Sequence, residues 1–204
     1  MISFYLLGLM VLVFMLQLLP GINEMFVFNP ALAVSEPWRF FTSMFMHGGV
    51  SHLFFNMFAL IMFGPLLERK IGQGEFIKLF VIAGLCGSLL YYTTILIGIM
   101  PPFPALGASG AIFGILGALA VLMPRLTIFV MFIPMNIRHA AVLWIILELL
   151  GAFNPYSGIA SAAHLGGLVF GIIYGQSKPP QATEPPTNFP CKKVRFIHNI
   201  PESC

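Results

Sequence analysis

The chain contains no aspartate. All seven of its acidic residues are glutamates, which excludes a Ser-His-Asp triad and any site built from paired aspartates. Charge of either sign is scarce: 8% of the 204 residues are charged and 58% are hydrophobic, whereas an ordinary soluble domain carries about 25% charged residues. A polytopic membrane protein fits that imbalance. Three cysteines, Cys86 in an apolar run and Cys191 and Cys204 in a polar tail, supply no disulfide framework. The formal net charge of +3 comes from bases spread along the chain, and without a compact basic patch nucleic acid is not implied as a partner.

What the chain has in quantity is long apolar runs. About 20 residues at 1.5 Å each cross a hydrocarbon core of about 30 Å, and six runs of suitable length lie over about 2–20, 51–67, 76–99, 105–123, 138–153 and 158–175. They predict an all-α membrane protein with six transmembrane helices. The fifth run is short and follows a separate apolar piece, Leu126 to Met135, which contains Pro134 and reads as a loop lying against the protein or the membrane interface. The first run has no basic n-region and no small-residue cleavage site near Pro20, so it reads as an uncleaved span.

Lys and Arg gather in cytoplasmic loops. Arg69, Lys70 and Lys78 fall between the second and third runs, Arg125 and Arg138 between the fourth and fifth, and Lys178, Lys192, Lys193 and Arg195 after the sixth. Nine of the ten bases therefore share one side, which predicts a multi-pass protein of the cell membrane with both termini cytoplasmic. Only Arg39 is placed outside, in a long mixed loop over about residues 21–50. The polar, proline-rich stretch from Gln176 reads as a disordered extension, dividing the chain into a six-span domain, 1–175, and a tail, 176–204.

A charge at the centre of a span costs about 2.5 to 3.5 kcal/mol, so each intramembrane polar group needs a reason. By residue count Ser109 lies about four residues into the fourth span, roughly 6 Å down, and His164 about six residues into the sixth, roughly 9 Å down. His52 and Asn56 of the second span fall in the same outer layer. Such a histidine often does no more than hydrogen-bond a neighbour, but here polar groups from three spans share one level. Gly167, Gly171 and Gly175 recur every four residues after His164, and Gly110 and Gly114 do so beside Ser109. Small-residue stripes of this kind let helix backbones approach closely, which a side chain as short as serine requires to reach a histidine on another helix.

The chemistry that fits is a Ser-His pair: His164 takes the Ser109 proton and the alkoxide attacks a carbonyl. With no aspartate, the pair stands alone or takes a glutamate as third member. Glu148 is the only intramembrane candidate, although near the outer end of its span it could simply snorkel or cap a helix. Asn56 and His52, four apart on one helix face, and the Ser109 N–H near a helix start can donate to a developing oxyanion. His47 lies off that face and is expected nearer the surface, stabilising the turn into the second span. A metal site made from His47, His52 and His164 competes with this reading, but no carboxylate or thiolate accompanies them at that level.

These residues resemble the rhomboid family of intramembrane serine proteases over about residues 36–175. The resemblance rests on PWRFFTSMFMHGGVSHLFFN (Pro37 to Asn56), with its Trp-Arg pair and HxxxxHxxxN pattern; on GPLLE (Gly64 to Glu68); on GASG (Gly107 to Gly110), a GxSG motif; and on AHLGGLVFG (Ala163 to Gly171), an AHxxGxxxG motif. What it implies is a six-span bundle without cofactor or metal, with Ser109 as nucleophile and His164 as base. The implied oxyanion site comprises His52, Asn56 and the Ser109 backbone, with Gly107 of the serine motif. Trp38 and Arg39 match a structural pair in a first loop that lies partly in the outer leaflet. Glu68 matches a position that ties the inner end of the second span to its loop, and Phe113, four residues after the nucleophile, one that packs on the base.

By the same resemblance, a segment over about 151–159 would cap the site, and movement of this cap or of the fifth span would admit substrate. The implied partners are membrane lipid and single-span proteins cut near the outer surface, at small residues in segments that unwind easily. A rhomboid-like pseudoprotease, acting as a binding or quality-control module, is the rival from another class; such proteins lack the serine or the histidine, and this chain has both. Presenilin-like enzymes need two aspartates, and zinc-dependent ones need H-E-x-x-H, which is absent. A channel would need polar residues at several depths along a path.

Overall fold

The computed structural model describes residues 1–130, 132–152 and 160–178. In chain order the helices are α1 (Ile2–Leu16), α2 (Ile22–Phe26), α3 (Arg39–Thr42), α4 (Val50–Ile71), α5 (Gln73–Leu96), α6 (Ser109–Leu122), α7 (Ile137–Ala152) and α8 (Ser161–Ser177). Each of the six apolar runs overlaps one of the longer helices, and the described part of the molecule is mostly helical. By length and composition α4 and α5 are able to cross a membrane; at 1.5 Å per residue α6 and α7 rise only about 20 to 25 Å.

Local chemistry sets the helix limits. Gly72 closes α4 and opens α5 at a φ of 84°, a left-handed conformation that glycine adopts at little steric cost. The fourth apolar run turns helical later than its hydropathy suggests. Pro101, Pro102 and Pro104 have no N–H to give a helix, and Ala105 pairs instead with Phe28 in an isolated antiparallel bridge. Gly107 then takes a φ of 126°. Ser109 is therefore the first residue of α6, not about four residues inside it.

The apolar piece before α7 also departs from expectation. It is a β-hairpin, not a loop: β1 (Thr127–Val130) pairs antiparallel with β2 (Ile133–Asn136), Thr127 opposite Asn136 and Val130 opposite Ile133. The β-branched Thr127, Ile128, Val130 and Ile133 favour extended backbone. Pro134 is tolerated because each strand of a two-stranded ribbon has an unpaired edge.

Helix α6 is the central element. Apolar all round, it buries ten of its fourteen residues, as a helix surrounded by protein does, and α4, α5, α7 and α8 all pack on it. Its tightest seam is with α8. A Cβ added to Gly167 would fall on the Gly110 carbonyl oxygen, and one on Gly171 on the Gly114 carbonyl oxygen, so these helices meet backbone to backbone. Helix α5 closes on the same seam, where a Cβ on Gly87 would stand 2.5 Å from the Ala163 carbonyl oxygen. The packing of α7 on α6 and α8 is lighter.

At the far end of α4 the buried Glu68 carboxylate accepts hydrogen bonds from the N–H groups of Ile2 and Ser3, at 2.7 and 3.0 Å, and from the Ser3 hydroxyl at 2.7 Å. It thus ties α4 to the head of α1, not to the loop that follows α4. The attraction has a plain cause: the first N–H groups of a helix lack intrahelical acceptors and carry the positive end of its dipole. The start of α5 is tied to the end of α8 by side chains, with Tyr174 and Lys178 donating to Glu75 at 2.8 and 2.6 Å.

Candidate active site

Ser109, His52 and His164 are the first, third and fourth residues of α6, α4 and α8, so three helix starts face one another. The glycine seam brings two of these side chains together: Ser109 Oγ lies 2.7 Å from His164 Nε2. The imidazole stacks on Phe113, with ring centroids 4.5 Å apart and planes 8° from parallel. Phe113 in turn meets Trp144 of α7 edge to face at 6.2 Å. On the other side of the His164 ring, Nδ1 lies 2.9 Å from Glu148 Oε1. A cavity of about 680 Å³ opens beside these groups, and Asn56, Phe63, Leu116 and Trp144 are among the residues that line it.

His52 and Asn56 line the same cavity. The Gly48 N–H points at His52 Nδ1 over 3.3 Å; with that nitrogen as acceptor, a neutral His52 carries its proton on Nε2. Asn56 spends one Nδ2 hydrogen on the His52 carbonyl at 2.9 Å and retains a second. Ser109, opening its helix, has an N–H with no intrahelical acceptor. Gly107 differs from the sequence reading. Its N–H donates to the Ser43 carbonyl at 2.9 Å and is not free for an oxyanion. Its contribution is room: a Cβ there would stand 2.8 Å from His52 Nε2.

His47 is not near the surface but 2% exposed, and neither ring nitrogen has a hydrogen-bond partner. Its ring meets that of His52 edge to face at 5.2 Å, while Gln17 clamps its backbone by accepting from the His47 N–H at 2.9 Å and donating to its carbonyl at 3.0 Å. Burial, and secondly His52, push the His47 pKa from 6.5 down to about 4. Below about pH 6.5 the unfolded chain therefore binds a proton that the folded chain refuses, so this residue makes stability rise with pH between about 4 and 6.5. The melting temperature in detergent is expected to fall on acidification through that window, and less steeply in His47→Phe. An identical slope in the variant would remove His47 from the effect.

Arg39 is buried, paired with Glu36 and donating to the Val27 carbonyl at 2.8 Å. Trp38 is half exposed, and its indole N–H points at the Met25 carbonyl over 3.4 Å. Among the described residues no group of three or more His, Cys, Asp or Glu side chains is placed to hold a metal ion. Most of the expected cap, residues 153–159, and the tail beyond Lys178 lie outside the described residues. Sequence reasoning passed over Trp144, although its spacing of four from Glu148 places both on one face of α7.

A family model described as the Rhomboid domain matches residues 34–178. The chain is 37% identical over 146 residues to the Rhomboid protease GluP of Bacillus subtilis, covering 71% of this chain and 27% of that protein. It is 38% identical over 145 residues to RHOMBOID-like protein 1 of Arabidopsis thaliana, covering 69% and 34%. To the mitochondrial Presenilin-associated rhomboid-like protein of Pongo abelii it is 31% identical over 172 residues, covering 80% and 45%. It thus spans less than half the length of each of these relatives. With the family model matched over most of its length, the chain belongs to the rhomboid family of integral membrane proteins.

Proposed function

We propose that this protein is an intramembrane serine endopeptidase that cleaves single-span membrane proteins near the outer membrane face, with Ser109 as nucleophile and His164 as general base. The observation that carries the reading is the 2.7 Å approach of Ser109 Oγ to His164 Nε2 at the wall of a large cavity. Nε2 removes the hydroxyl proton as Oγ bonds to the scissile carbonyl carbon. The developing oxyanion meets the Ser109 N–H, His52 Nε2–H and Asn56 Nδ2–H, donors held in place before reaction. When the C–N bond breaks, the imidazolium returns its proton to the leaving amine, and water then cleaves the acyl-enzyme by the same route.

The chain, in this reading, crosses the membrane six times over residues 1–175, with residues 176–204 as a cytoplasmic tail and both termini on the cytoplasmic side of the cell membrane. The cavity wall supplies a way in: it continues along α4 past Asn56 to Phe63 and is bounded by Trp144 of α7, so a substrate segment would enter sideways from lipid as α7 moves. No cofactor or metal is required. Purified protein in detergent is expected to cut a reporter carrying one membrane segment and to be labelled on Ser109 by a fluorophosphonate. Asn56→Ala is expected to lower kcat about 10²- to 10³-fold with little change in melting temperature. Unaltered turnover would remove Asn56 from the oxyanion site.

A further inference from the structure

Among the described residues, Glu148 is the one carboxylate lining the cavity, and the serine and histidine chemistry above gives it no task. It comes from α7, and its Oε1 lies 2.9 Å from the imidazole nitrogen that does not face Ser109. Both side chains are largely enclosed, 13% exposed for His164 and 14% for Glu148. A glutamate that snorkelled would carry its charge out to water, and one that capped a helix would accept from backbone N–H groups. This one meets a ring nitrogen at hydrogen-bond distance.

We propose that Glu148 is the positioning residue of a Ser109-His164-Glu148 relay, the place that aspartate takes in a soluble serine protease. The proposal rests on the protease reading of the same site. An ionised carboxylate can only accept, so it requires a proton on Nδ1 and leaves the Nε2 lone pair for the serine hydroxyl. Phe113 holds the ring plane from its face, and Glu148 fixes rotation within that plane. As Ser109 Oγ bonds to the carbonyl carbon, its proton passes to Nε2, and the new imidazolium charge forms beside a fixed negative charge in a partly enclosed site. That proton leaves with the amine; Glu148 remains ionised throughout, accepting a hydrogen bond and never taking the proton.

The test compares Glu148→Gln, Glu148→Leu and Glu148→Asp with wild type, on the full chain in detergent. Readouts are reporter cleavage, fluorophosphonate labelling of Ser109 and melting temperature. Glu148→Gln keeps the shape and loses the charge; it is expected to lower kcat by up to about 10⁴-fold, to leave KM within about twofold, and to slow labelling in parallel. Glu148→Leu falls further, and Glu148→Asp recovers part of the loss because it keeps the charge. Wild-type cleavage and labelling rates in Gln or Leu variants would overturn the relay and leave the protease reading intact. So would a loss shared equally by all three variants together with a lowered melting temperature, which marks a merely structural contact. Undiminished cleavage by Ser109→Ala would remove the protease reading and the relay with it.

Discussion

Ser109→Ala is expected to abolish cleavage of a single-span reporter, a loss of about 10⁵- to 10⁶-fold in kcat, while the bundle melts within a few degrees of wild type. The side chain accepts no structural burden that alanine would fail to carry: its Oγ faces the His164 ring at 2.7 Å, and α6 begins there through its backbone. His164→Ala is expected to cost a similar amount. The double variant should lose nothing more, because nucleophile and base act as one unit and their contributions do not add. Cleavage assays on the three purified variants decide the matter. Independent, multiplying losses would mean that the two residues do not share a step.

Gly167→Ala is expected to lower both stability and the proposed cleavage through a single methyl group. The added Cβ would clash with the Gly110 carbonyl oxygen, so α6 and α8 must separate to accommodate it. Overpacking of this kind costs about 1 to 3 kcal/mol and sometimes more, and a displacement of about 1 Å at reacting groups can cost roughly 10²-fold in rate. Both losses are expected together, in melting temperature and in kcat, and Gly171→Ala should behave alike because its Cβ would meet the Gly114 carbonyl. Gly8→Ala is the control: no atom lies within 4 Å of a Cβ there. Equal behaviour of Gly167→Ala and Gly8→Ala would show that the seam does not hold the site together.

The pairing of Ser109 with His164 was legible in the sequence chiefly through the glycine spacing on both helices; the depth count was less exact, because Ser109 opens α6 instead of lying a turn inside it. The identity of the partner of Glu68 was not, since Ile2 and Ser3 lie more than sixty residues away and helix periodicity says nothing about which helix start a carboxylate will meet. Glu148 could be singled out as the lone intramembrane glutamate. Its direction could not, because that needs the rotation of α7 about its axis, and a hairpin precedes α7 whose apolar, β-branched residues resemble the start of the helix itself. Gly107 shows a limit of motif reading. The motif marks the position, but only the backbone shows that its N–H is already committed to Ser43 and that its missing side chain makes space for His52.

Three helix starts around one cavity bias it toward anions, since each contributes up to about half a positive charge at close range, and Glu148 offsets only part of that. Warheads that become negative on binding, such as boronates and phosphonates, should dwell there, and amidines should be turned away. In the protease reading the same bias separates the two halves of a cut substrate: the fragment ending in a fresh carboxylate is expected to be retained longer than the one beginning with an amine.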